Sequence, residues 1–113
     1  MPLLSITTNV SASGAEDRLL NQASAEVSRI LGKPESYVMV RLEHNPHMLF
    51  AGNSEPLAYL ELKSINLPTD RTAELSQALS ALLTTFLGIN AERIYIEFAN
   101  AERHMWGWNS VTF

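Results

Sequence analysis

Cysteine is absent from all 113 residues, which excludes disulfides, thiolate nucleophiles and cysteine-based metal sites. The absence fits a reducing compartment. No charged segment leads into an apolar core at the start of the chain, and no apolar run reaches about 18 residues. A soluble, cytoplasmic protein is therefore expected, with release that bypasses a signal peptide left open. The formal net charge is −4 and no basic cluster stands out, which argues against nucleic acid as a partner. Gly-rich phosphate loops, the Walker motif and the Gly-x-Ser-x-Gly elbow are all missing. His44 and His47 flank Asn45-Pro46 in a loop-like stretch, and His104 is far away in sequence. That spacing has no supporting ligand cluster, so no metal is expected.

What remains is an ordinary globular composition, 46% hydrophobic and 18% charged. One domain over residues 1–113 is expected, burying roughly two-thirds of the surface of the unfolded chain. The chain opens Met1-Pro2-Leu3-Leu4-Ser5-Ile6-Thr7-Thr8-Asn9. Loss of Met1 would turn Pro2 into a free secondary amine, a base that no internal residue can supply. The apolar run behind it would tie that amine to a buried strand instead of a loose tail. Read alone, Pro2 fits better as a residue that merely starts a strand, where its missing N–H does no harm.

Ser13 and Glu16 have capping-box spacing, which predicts a helix beginning there. Leu19, Leu20, Ala23, Val27, Ile30 and Leu31 give that helix one apolar face. Gly32 suits a left-handed terminus and Pro34 stops continuation. A second strand is predicted over Tyr37–Leu42, then loop over Glu43–Pro56. The pattern then recurs: a strand from Leu57 to Ile65, a helix opening at Pro68-Thr69-Asp70, Gly88 as its stop, and a strand over Arg93–Phe98. Leu31-Gly32 with Val38 and Val40 matches Leu87-Gly88 with Ile94 and Ile96 at a constant offset of 56. The chain is a duplicated β-α-β unit, with pseudo-repeats of about 2–55 and 56–113.

Two such units place two helices on one face of a four-stranded sheet. Nothing is left to cover the other face, where Leu42, Met39 or Tyr59 would lie depending on register. Exposed apolar sheet surface usually marks an interface, and a cyclic homo-oligomer would cover it. Trp106, Trp108 and Phe113 make the tail aromatic, suited to a short hairpin that docks or lines a pocket.

These residues resemble a known family. Pro2, Thr8-Asn9-Val10, Gly32-Lys33-Pro34, Gly52-Asn53-Ser54-Glu55-Pro56, Ser64-Ile65, Arg93-Ile94-Tyr95-Ile96 and Gly107-Trp108-Asn109 with Thr112-Phe113 look like macrophage migration inhibitory factor and its relative D-dopachrome tautomerase. The likeness runs along essentially the whole chain. It implies an α/β (α+β) homotrimer, each protomer a four-stranded mixed sheet with two helices on one face and the three sheets around a central axis. It also implies keto–enol tautomerisation of a small 2-keto acid, an aromatic one of the phenylpyruvate type, with neither cofactor nor metal. Pro2 would be the base. Lys33 and the backbone at Ile65, beside Ser64, would hold the acid group. Tyr95 of a neighbouring subunit, with Tyr37, Trp108 and Phe113, would wall the aromatic part, and Leu3 would shape the floor.

The chemistry agrees. A prolyl amine is naturally too basic for the task, but burial and a nearby cation both disfavour its charged form. Departures from the family are informative too. Glu97 stands where vertebrate members carry asparagine, and its carboxylate would either repel an acid or hydrogen-bond a polar ring. Trp106 replaces a smaller aliphatic residue at the pocket mouth and is expected to narrow it. Lys63 stands where vertebrate members carry histidine. Leu57 and Leu60 occupy the places of a Cys-x-x-Cys pair, so thiol–disulfide activity does not carry over. Two rival readings stay open. One is a cytokine-like interaction protein that binds a protein receptor through a vestigial pocket. The other is a hydratase or dehalogenase of the wider superfamily, for which Arg41 and Arg93 are the candidate cations.

Overall fold

The computed structural model describes residues 1–113. Strand β1 (Leu3–Thr8), helix α1 (Glu16–Leu31) and strand β2 (Met39–His44) form the first unit. Strand β3 (Ala58–Ile65), helix α2 (Thr72–Leu87) and strand β4 (Ile94–Ala101) form the second, and β5 (Gly107–Trp108) pairs with β6 (Val111–Thr112) as a terminal hairpin. The sheet order is β2-β1-β3-β4. Strands within each unit run parallel, as a helical crossover requires, while β1 and β3 join the units antiparallel. The sheet is therefore mixed and the fold is α+β.

Alternation along the central strands decides which face meets the helices. Leu4 and Ile6 of β1, and Leu60 and Leu62 of β3, are fully enclosed with Leu19, Ala23 and Val27 of α1 and Leu75, Leu79 and Leu83 of α2. Both helices end where their glycines allow a left-handed residue: Gly32 has φ +63° and Gly88 has φ +68°. A side chain at either would be strained by backbone conformation, since there is open space around each.

Local details depart from the sequence-based expectation in three places. Ser13 caps nothing: Gly14, at φ +82°, turns the chain first, Ala15 occupies the cap position, and no side chain caps α1. Glu16 becomes the first helical residue, where its charge faces the helix dipole. Strand β2 starts at Met39, two residues later than expected, because Glu35–Tyr37 coil into a 3-10 turn after Pro34. A second such turn, Thr69–Arg71, precedes α2.

The uncovered sheet face is also more polar than the pattern suggests. Leu42 packs toward the helices, leaving Met39 and Tyr59 on the open side. One row of strand partners across that side reads Arg41, Ser5, Glu61, Glu97. The alternation that buries leucine on one side of β1 and β3 puts charge on the other. No helix is long and apolar enough to cross a membrane.

Candidate active site

The N-terminus enters the sheet between β2 and β3. Pro2 is fully buried, and its carbonyl accepts the Met39 N–H at 3.0 Å. Leu3 pairs with Met39 on one side and Lys63 on the other. The start of the chain is thus held by backbone bonds from its second residue onward, which is what an N-terminal amine needs in order to keep a defined place.

An aromatic wall closes around it. Tyr37 projects from the 3-10 turn after Pro34, while Trp106, Trp108 and Phe113 come from the terminal hairpin, closed by the Phe113 N–H donating to the Trp106 carbonyl at 3.2 Å. The Tyr37 ring meets Trp108 edge-on at 5.7 Å and Phe113 edge-on at 6.4 Å, and Trp108 stacks with Phe113 at 5.7 Å. Each geometry suits the quadrupole of an aromatic ring. Together with Met1, Pro2, Leu3, Ser36, Val38, Met39 and Gly107 these rings enclose a cavity of about 470 Å³. That volume fits a small organic molecule.

Lys33 follows the left-handed end of α1 and points its ammonium into this region. Its Nζ donates to the Ile65 carbonyl at 2.6 Å, and the same carbonyl accepts the hydroxyl of buried Ser64 at 3.0 Å. The terminal amine, carried here by Met1, lies within reach of the Lys33 charge. Burial first, then the Lys33 charge and contact, then Arg103, lower the amine from 8.0 to about 6. Each of these causes disfavours the protonated form.

The structure therefore brings together Pro2, Leu3, Lys33, Tyr37, Trp106, Trp108 and Phe113, with Ser64 and Ile65 joined to them through the lysine. It does not bring in Tyr95 or Glu97. Both stand exposed on edge strand β4, away from this cavity, and Tyr95 is 66% exposed. The Tyr95 ring instead packs at 4.7 Å against Phe50, which also lies under the Arg93 guanidinium. Arg93 is committed to loop carbonyls of Phe50, Asn53, Glu55 and Pro56, so it is a loop organiser and supplies no free cation for hydratase chemistry.

Ser36, Val38 and Gly107 line the cavity without having been singled out as site residues in the sequence, and two further contributors escape such a reading. Met39 shares its face with Leu3 through parallel pairing, a register that strand alternation alone cannot supply. Arg103 acts on the amine from a 3-10 turn whose position depends on how the terminal hairpin folds back.

The fold of this chain is shared by a set of solved structures. The macrophage migration inhibitory factor homologue from Prochlorococcus marinus superposes with a TM-score of 0.94 at 42% identity, covering 98% of each chain. The Trichinella spiralis homologue is 36% identical in sequence over the full length of both chains, and its solved structure gives a TM-score of 0.93. The Meriones unguiculatus factor is 32% identical, covering 100% of this chain and 99% of its own. The family model described as macrophage migration inhibitory factor matches residues 1–113. The chain belongs to the macrophage migration inhibitory factor family.

Proposed function

We propose that this protein is a cofactor-independent keto–enol tautomerase acting on small 2-keto acids of the phenylpyruvate type, with the Pro2 amine, freed by loss of Met1, as its base. The observation that carries this reading is the placement of the chain's start: Pro2 is buried at the head of β1 and lines the aromatic cavity, and the Lys33 charge reaches the terminal amine next to it. Catalysis by a base is best when its pKa lies near working pH. Burial and the Lys33 charge, which lower the Met1 amine, push an amine at Pro2 in the same direction.

In the keto-to-enol direction, the neutral Pro2 nitrogen takes a proton from the carbon next to the ketone. The C–H electron pair becomes the C=C bond, and the carbonyl pair moves onto oxygen. The prolinium then delivers that proton to the oxygen, leaving the enol and the free amine. Lys33 has three N–H donors. One is spent on the Ile65 carbonyl, which leaves donors and charge for the substrate carboxylate. Because that carbonyl is an acceptor already engaged by Lys33 and Ser64, the backbone contribution of Ile65 to an acid group falls to its N–H. Tyr37, Trp108 and Phe113 face the aromatic part, and Trp106 narrows the mouth.

The same proposal includes a homotrimer. Tyr95 and Glu97 have no route into their own chain's cavity, so their role in the site requires a neighbour to present them. Light scattering should return three times the chain mass. A stable monomer would remove Tyr95 and Glu97 from the site.

The test of the activity is phenylpyruvate tautomerisation by protein whose intact mass shows Met1 removed, with Pro2→Gly alongside. Rate should fall steeply in the variant, because a primary glycyl amine on a flexible backbone replaces the ring-held secondary amine. Inactive, trimeric, Met1-free protein would overturn the reading and favour a binding role for the pocket.

A further inference from the structure

The two halves end their helices with the same hydrogen-bond device. In α1 the Ser28 hydroxyl donates to the carbonyl of Lys33 at 2.6 Å, five residues on, and the Ser28 carbonyl accepts the Lys33 N–H at 3.1 Å. In α2 the Thr84 hydroxyl donates to the carbonyl of Ile89 at 2.7 Å, again five residues on, and is shared with the Ser80 carbonyl at 3.1 Å. Ser28 and Thr84 are equivalent under the repeat, as are Lys33 and Ile89. In the second half the clamped residue is a fully enclosed core isoleucine. In the first half it is the lysine of the site.

We propose that Ser28 is a positioning residue for the tautomerase reaction, holding the Lys33 backbone so that its ammonium stays between the terminal amine and the Ile65 carbonyl. The inference rests on the reading of Pro2 and Lys33 given above. Lys33 carries a flexible four-carbon stem, and ordering such a stem costs entropy. Fixing both backbone polar groups of Lys33 through one residue, with Pro34 next in the chain, removes freedom at the root of that stem. The 2.6 Å contact of Nζ with Ile65 fixes its tip. Ser28 is half-buried and has no other side-chain partner, so the hydroxyl is committed to the lysine alone.

Thr84 supplies the control. Thr84→Ala removes the same type of bond at the same place in the other repeat, far from the substrate. Ser28→Ala should raise KM for phenylpyruvate by up to about tenfold, the size of one lost hydrogen bond, with a smaller effect on kcat. Ser28→Thr, which copies the residue the second half already uses, should restore the wild-type value. Thr84→Ala should lower thermal stability about as much as Ser28→Ala while leaving KM unchanged.

A second readout does not need turnover. Isotope-labelled terminal amine, followed by NMR through a pH titration, should titrate at higher pH in Ser28→Ala, because a wandering Lys33 opposes protonation less. The Ser28→Thr and Thr84→Ala proteins should titrate as wild type. Should wild type be active while Ser28→Ala leaves both KM and the amine titration unmoved, the positioning role is wrong and the tautomerase reading stands. Inactive wild type whose amine titration still moves in Ser28→Ala would mean the opposite: Ser28 positions Lys33, and the function lies elsewhere. Equal KM changes in Ser28→Ala and Thr84→Ala would overturn the role too, since both would then be loosening the fold.

Discussion

The two β-α-β halves share a backbone plan and differ in what they do with one position. After Gly32 the first half places Lys33, half-exposed, its ammonium on the Ile65 carbonyl and within reach of the chain's first amine. After Gly88 the second places Ile89, fully enclosed among core leucines. Helix length, left-handed terminus and hydroxyl clamp are alike, so the scaffold does not dictate which end becomes a site. The surroundings do. The first helix ends beside the chain's own start and the folded-back C-terminal hairpin, which together leave a cavity. The second ends against strands that close over it.

Exchanging the residues is the most severe way to break this comparison. Ile89→Lys would bury an unpaired charge and should cost about 3–5 kcal/mol of stability, enough to leave much of the protein unfolded, as urea titration would show. The reverse change, Lys33→Ile, removes no core contact and should leave the fold intact. It should raise KM for a 2-keto acid by roughly 10- to 100-fold, the worth of a charged hydrogen bond.

Lys33→Ala also moves pH dependence, and the sign follows from the charge. The lysine cation disfavours a protonated amine beside it, so its removal raises the amine. The base must be neutral to act, so activity is lost as pH falls through the amine pKa. In kcat/KM profiles, the acid limb of Lys33→Ala should therefore lie at higher pH than that of wild type.

Milder changes sharpen the comparison. Gly32→Ala and Gly88→Ala force alanine to φ +63° and +68° and should each cost about 1 kcal/mol. Thermal melts should be alike, but only Gly32→Ala should alter phenylpyruvate kinetics, because only Gly32 aims Lys33. The smallest stability effect is expected for exposed Glu97→Gln, within about 0.5 kcal/mol. A change in its kcat/KM profile would then report a neighbouring subunit, since Glu97 cannot reach its own cavity.

Much of the protein is legible in its sequence because the signals are local or periodic. The repeat, both helix stops, the four main strands and the aromatic tail follow from apolar spacing and from glycine and proline chemistry. The start of α1 misleads because Ser13-x-x-Glu16 is a capping box only if Ser13 occupies the cap, and the positive φ of Gly14 moves it out of that place. The character of the open sheet face is hidden for a different reason. Register between strands sets which residues form a row, and Arg41, Ser5, Glu61 and Glu97 come from four separate segments.

The sequence by itself determined the duplicated architecture, and the family resemblance, not the local pattern, singled out the candidate site residues: a proline behind the first methionine, a lysine after a helix stop, three aromatics at the end. The architecture rests on interactions within a few residues and on a countable periodicity. Only the tertiary structure decided that Met39 lines the cavity, that the Ile65 carbonyl holds the lysine, and that Tyr95 and Glu97 lie outside their own cavity. Each depends on strand order and on the return of the C-terminal hairpin. Contacts between distant segments are set by how the whole core packs, and no local signal encodes them.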